Sequence, residues 1–153
     1  MGRVHAHGLT TAGAMVEVPS AALRAKQILE HAAFLSIGTN DLSQYTMAAD
    51  RLSGSLATLL DPWQPAVLDL VGMAARAGQE VGAEVGVCGE AAGDPMLAVV
   101  LTGLGVTSLS MAPALVDDVR DALASRTYAE CQEIARRVLE ARSPEEARAA
   151  AEG

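Results

Sequence analysis

Glu17, Asp41 and Cys88 each stand at or just beyond the end of an apolar run short enough to be a β-strand. Taken singly, each has an ordinary use: a solvated carboxylate at a strand end, a helix-capping aspartate, a small buried hydrophobe. Taken together they suggest chemistry. Two carboxylates on neighbouring strand ends repel unless a cation lies between them. Their oxygens suit a hard ion such as Mg²⁺, which keeps several waters and takes one or two protein carboxylates together with substrate oxygens. A glycine-flanked thiol at a strand end, as in Cys88-Gly89, is better exposed than a core cysteine.

Other polar residues cluster with them. Gly38-Thr39-Asn40-Asp41 follows one apolar run directly, and Cys88-Gly89-Glu90 follows another. Arg51, in Ala49-Asp50-Arg51, is either an ordinary surface ion pair or a fork of donors for a metal-bound phosphate. His5 and His7 alternate as metal ligands can, but in a segment without regular pattern; His31 reads as decoration at a helix end. Cys131 lies among Ala129, Ile134 and Val138 on a helical pattern and reads as core.

The elements that must position these groups alternate between strand and helix. Ala14 to Val18 reads as a strand stopped by Pro19, with Ser20 capping a helix through Leu29. Phe34–Ile37 reads as the second strand, with helix from about Asp41. Asp61-Pro62-Trp63-Gln64-Pro65 is a turn, Pro65 opening a helix that Gly78 ends. Glu84–Cys88 is a third strand, and Asp94-Pro95 starts the helix leading into Leu97 to Leu104. Ser108–Met111 is a short fourth strand, followed by helices over Pro113 to Ala124 and Thr127 to Ala141. Ser143-Pro144-Glu145-Glu146 has capping-box spacing for a last one. Four β-then-α units imply an α/β fold with a parallel sheet, since parallel neighbours need a crossover. Functional groups in such sheets gather at the strand ends.

Composition narrows the possibilities. The chain has 153 residues, 50% of them hydrophobic and only 3% aromatic, enough for one domain with an aliphatic core. A formal net charge of −8 disfavours nucleic acid and acidic membrane surfaces as partners, and an anionic substrate would need a cation beside it. Two cysteines make no disulfide framework, no apolar run reaches the roughly 18 residues of a membrane span, and the first residues lack an apolar signal core. The expectation is a cytoplasmic protein with reduced thiols and no membrane segment.

The motifs carry a resemblance. Gly13-Ala14-Met15-Val16-Glu17-Val18-Pro19, Ser36-Ile37-Gly38-Thr39-Asn40-Asp41-Leu42-Ser43-Gln44-Tyr45-Thr46, Asp50-Arg51 and Gly86-Val87-Cys88-Gly89-Glu90-Ala91-Ala92-Gly93-Asp94 run in order along the chain. As a set they resemble the C-terminal, phosphoenolpyruvate-binding domain of the phosphoenolpyruvate-protein phosphotransferases, the enzyme I family of the sugar phosphotransferase system. Pyruvate phosphate dikinase and phosphoenolpyruvate synthase share the Gly-Thr-Asn-Asp turn and the Cys-Gly, but are less similar around Gln44-Tyr45-Thr46 and after Cys88.

The resemblance implies an eight-stranded (β/α) barrel, of which this sequence is similar to the second half. Residues 1–12 then form a disordered or tag-like segment, 13–142 a (βα)4 half-barrel, and 143–153 a short helix or frayed tail. It implies Mg²⁺ on Glu17 and Asp41, substrate phosphate on Asn40 and Arg51, and backbone at Gly38 and Thr39 close to the substrate. Cys88 becomes the general acid that protonates the methylene carbon of enolpyruvate as the phosphoryl group leaves for a histidine domain. Leu52-Ser53-Gly54 departs from the Gly-Asn common after the Asp-Arg pair. A half-barrel is further expected to have open strand edges and an apolar inner face, favouring a homodimer, to bind phosphoenolpyruvate weakly, and to turn over little. The alternatives are a fragment of a pyruvate phosphate dikinase, the runner-up, or of a phosphoenolpyruvate synthase, and a non-catalytic remnant acting as an interaction module.

Overall fold

The computed structural model describes residues 11–50, 52 and 54–153. β1 (Ala14–Val16) leads through α1 (Pro19–Leu23) and α2 (Ala25–Leu29) to β2 (Phe34–Gly38). α3 (Thr39–Met47), a 3₁₀ segment (Gly54–Leu60) and α4 (Pro65–Val81) precede β3 (Glu84–Cys88). A 3₁₀ turn (Glu90–Gly93) and α5 (Pro95–Gly103) lead to β4 (Ser108–Ser110). A further 3₁₀ turn (Pro113–Leu115), α6 (Val116–Ala124), α7 (Tyr128–Val138) and α8 (Pro144–Glu152) complete the described elements. The strands form one sheet in the order β1-β2-β3-β4, every pair parallel. This is the α/β architecture of a partial (β/α) barrel.

Side-chain alternation divides the sheet. Val16, Leu35, Ile37, Val85 and Val87 are buried and join Leu68, Val71, Ala75, Leu97 and Leu101 in one core. α1 packs on β1, α2 on β2, and α4 on β2 and β3. Each fully buried Leu or Ile contributes about 1.5–3 kcal/mol of transfer free energy. The other face carries Met15, Glu17, Ser36, Gly38, Gly86, Cys88, Ser108 and Ser110. The apolar inner face expected from the half-barrel reading is therefore absent: the open side is lined mostly by small and polar groups. The edge strands β1 and β4 are three residues each, which limits edge pairing.

Several local expectations are corrected. Pro19 occupies the first helical position with Val18 as the capping residue, so Ser20 lies inside α1 rather than capping it. Proline has no N–H to leave unpaired there and its fixed φ suits a helix start. Arg24, at φ −113° and ψ 20°, breaks the expected single helix into α1 and α2. α3 begins at Thr39, two residues before Asp41. Gly78 does not end α4, which runs to Val81 and closes on Gly82 at φ 70°. A Cβ at Gly78 would collide with the Val85 side chain, so that glycine lets the helix lie close on β3.

The C-terminal elements are well capped. Thr127 and Glu130 form a reciprocal capping box at α7. At α8 Ser143 accepts from the Glu146 N–H at 3.2 Å, but the Glu146 carboxylate accepts from the Arg142 N–H, one residue upstream of the expected partner. Residues 144–152 are helix, with Ala147 and Ala151 buried, not a frayed tail.

Candidate active site

The parallel register builds the candidate site. Val16 pairs with Ile37, so Glu17 stands beside Gly38 on the next rung, and Gly38 pairs with Cys88. Glu17, Gly38 and Cys88 thus share one rung, at the carboxyl ends of three adjacent strands about 4.8 Å apart. The Glu17 carboxylate lies across β2, its Oε1 2.9 Å from where a Cβ on residue 38 would be. Only a glycine leaves that space.

Asp41 lies in the first turn of α3, which starts directly after β2 with Gly38 as its capping residue. The helix therefore presents its N-terminus at the same end of the sheet. Unpaired N–H groups and the helix dipole make such an end attractive to anions. Among the described residues no group of three or more His, Cys, Asp or Glu is gathered as a metal cage.

Thr39 and Asn40 use their side chains on the neighbouring loop. Thr39, buried, donates its hydroxyl to the Cys88 carbonyl at 3.1 Å, and Asn40 Oδ1 accepts from the Glu90 N–H at 3.3 Å. Gly89, between them, has φ +103°, and a Cβ there would lie 2.8 Å from Thr39 Oγ1 and 2.9 Å from Asn40 Oδ1. The loops after β2 and β3 are thereby stitched together. The amide group of Asn40 that donates is not the one engaged by Glu90.

Cys88 is half-buried, and its thiol donates to the Ile37 carbonyl at 3.4 Å. Ser36 donates to the sulfur at 3.6 Å. Sequence reasoning did not single out Ser36. Its only signal was the two-residue period placing it on the face of Gly38, and its partner came from the β2–β3 register. Cys131 is buried against the core, as its helical pattern suggests, and burial pushes its thiol up. Arg51, His5 and His7 lie outside the described residues; His31 follows α2, at the opposite end of β2 from Gly38.

Beside this rung is a cavity of about 380 Å³ lined by Thr39, Asn40, Ser43, Leu52, Leu60, Pro62 and Glu90. Among the described residues that line it there is a carboxylate and no cationic side chain. With Glu17, Asp41 and Glu90 all near these strand ends, an anionic ligand requires a cation beside it.

Comparison with known proteins agrees in kind. A family model described as PEP-utilising enzyme, PEP-binding domain, matches residues 3–128. A phosphoenolpyruvate-protein phosphotransferase of Streptomyces coelicolor is 59% identical over 140 residues, covering 92% of this chain and 25% of the relative. One from Cupriavidus necator is 44% identical over 138 residues, covering 90% of this chain and 24% of the relative. A multiphosphoryl transfer protein of Xanthomonas campestris is 42% identical over 137 residues, covering 90% of this chain and 16% of the relative. The chain spans a quarter or less of the length of these relatives. No helix among the described residues is long and apolar enough to cross a membrane.

Proposed function

Because the chain belongs to the PEP-utilising enzyme family, within its PEP-binding domain, we propose that it is the phosphoenolpyruvate-binding part of a phosphoenolpyruvate-protein phosphotransferase, forming half of an eight-stranded barrel. The observation that carries this reading is the shared rung of Glu17, Gly38 and Cys88, with the α3 N-terminus and Asp41 beside it.

Each residue has a task suited to its chemistry. Glu17 and Asp41 would hold Mg²⁺, which supplies neutralisation of phosphate and carboxylate charge. Asn40 turns its donor amide to the phosphate while its oxygen stays on Glu90. Arg51 adds a bidentate cation, and Gly38 lets the substrate approach the backbone. As the P–O bond of phosphoenolpyruvate breaks and the phosphoryl group passes to an imidazole nitrogen of a histidine domain, the enolate takes a proton at its methylene carbon from Cys88 Sγ. Pyruvate forms, and the thiolate is reprotonated from water. To deliver that proton the S–H must leave the Ile37 carbonyl, so Ser36 and Ile37 define its resting orientation.

The reading extends to a cytoplasmic setting in the sugar phosphotransferase system, to weak binding and little turnover by this portion alone, and to a homodimer. Light scattering after size exclusion tests the last; a monomer at micromolar concentration contradicts it. The decisive test is calorimetry with phosphoenolpyruvate, with and without Mg²⁺. Binding should require the metal and vanish in Glu17→Ala and Asp41→Ala. No heat under any condition overturns the proposal and leaves the interaction-module reading.

A further inference from the structure

Behind the cavity, side chains from three separate segments interlock. Trp63, the single tryptophan of the chain, is 2% exposed, and its indole N–H donates to Asp94 Oδ2 at 2.9 Å. The other oxygen of Asp94 accepts the N–H groups of Met96 and Leu97 and so caps α5. Arg148, on α8, sits over the indole ring at 5.7 Å from its centroid and donates to Asp61 Oδ1 at 2.7 Å. That same oxygen accepts from the Trp63 backbone N–H.

The arrangement bears on the cavity because of where its members attach. One wall is Leu60 and Pro62, and Pro62 is bonded directly to Trp63. Another part of the lining is Glu90, one 3₁₀ turn before Asp94. The Trp63–Asp94 hydrogen bond therefore ties the two wall segments together a few residues behind the lining. Arg148 clamps the tie from outside through stacking and a charge-assisted hydrogen bond, two interactions that together restrain the ring and the turn that carries it.

We propose that the Arg148–Trp63–Asp94 interlock sets the separation of the cavity walls, so that these are positioning residues and α8 belongs to the framework of the site. The relevance to phosphoenolpyruvate rests on the reading given under Proposed function; the mechanical coupling does not. A lysine at 148 keeps the charge facing Asp61 but loses the planar fork. Trp63→Phe keeps a buried ring but removes the indole donor to Asp94 Oδ2.

The test is hydrogen exchange by mass spectrometry on the full chain and on Arg148→Ala, Arg148→Lys and Trp63→Phe, with phosphoenolpyruvate–Mg²⁺ calorimetry on each and tryptophan emission where Trp63 is retained. In Arg148→Ala, peptides over 54–64 and 89–97 should exchange about tenfold faster while those over 12–38 are unchanged. Its emission should move to longer wavelength, and its affinity should fall by about threefold or more. Arg148→Lys should recover part of each change. Trp63→Phe, which keeps an aromatic ring in the core, should accelerate exchange over 89–97 and weaken binding likewise. Unchanged exchange over 89–97 in both Arg148→Ala and Trp63→Phe, or a uniform rise along the whole chain, overturns the interlock. Localised exchange changes with unchanged affinity overturn its role in positioning. If the unaltered chain binds no phosphoenolpyruvate, the reading of the site fails, and the exchange data alone decide the coupling.

Discussion

The carboxylate of Glu17 occupies the space that a side chain on residue 38 would fill, with Oε1 2.9 Å from the Cβ position of Gly38. The contacts run along a flexible side chain, with Glu17 Cγ also at 2.9 Å, so an added methyl would displace Glu17. Gly38→Ala is expected to cost at most about 1 kcal/mol of stability. On the proposed assignment of Mg²⁺ to Glu17 and Asp41, metal-dependent binding of phosphoenolpyruvate should fall by about tenfold or more. Urea denaturation and calorimetry on the same sample separate the two effects.

Gly89 makes the contrary case. Its φ of +103° is unfavourable to any residue with a Cβ, and its neighbours Thr39 Oγ1 and Asn40 Oδ1 are held by their own hydrogen bonds. Gly89→Ala should lower unfolding free energy by about 1–3 kcal/mol. The loss should appear as a lower urea midpoint with an unchanged slope.

The two thiols should differ in reactivity. Cys131 is 2% exposed and burial pushes its thiol up, whereas Cys88 lies half-buried at the open face of the sheet. Brief treatment with iodoacetamide at neutral pH should give one adduct, mapped to Cys88 by peptide mass spectrometry. Comparable labelling at Cys131 under native conditions would show that α5 and α7 separate readily.

Acid should loosen the C-terminal helices first. The Thr127 N–H and hydroxyl hold the Glu130 carboxyl below its ordinary value of 4.5, and the Ser143 hydroxyl does the same for Glu145. A carboxyl lowered in the folded state binds fewer protons there than when unfolded, so its stabilisation is fully present above the unfolded value. That stabilisation is lost as pH falls through the lowered folded value. The thermal midpoint should therefore drop below pH 4.5, and Glu130→Gln should flatten part of that dependence. A midpoint independent of pH in the acid range, with Glu130 present, contradicts the capping account.

Much of this was legible from local pattern. Asp94-Pro95 does cap and open α5, Pro65 does begin α4, and Glu84–Cys88 is β3, because proline geometry, short polar caps and two-residue alternation act within a few residues. Gly78 misled for the same reason: its role is a close approach to Val85 in another element, which spacing along the helix does not reveal. The inner face misled because the burial of Leu35, Ile37, Val85 and Val87 consumes the apolar residues of the strands on one side, leaving Ser36, Gly38, Gly86 and Cys88 for the other.

The sequence by itself determined the parallel βα order and the chemical types gathered at the strand ends, since both follow from short-range periodicity and residue identity. The tertiary structure alone decided that Glu17, Gly38 and Cys88 share a rung, that Thr39 and Asn40 are spent on the Cys88-Gly89-Glu90 loop, and that Trp63, Asp94 and Arg148 meet. These pairings join residues from 21 positions apart, Glu17 and Gly38, to 85 apart, Trp63 and Arg148. They depend on strand register and helix docking, which are settled by packing of the whole core and leave no mark in any short stretch of chain.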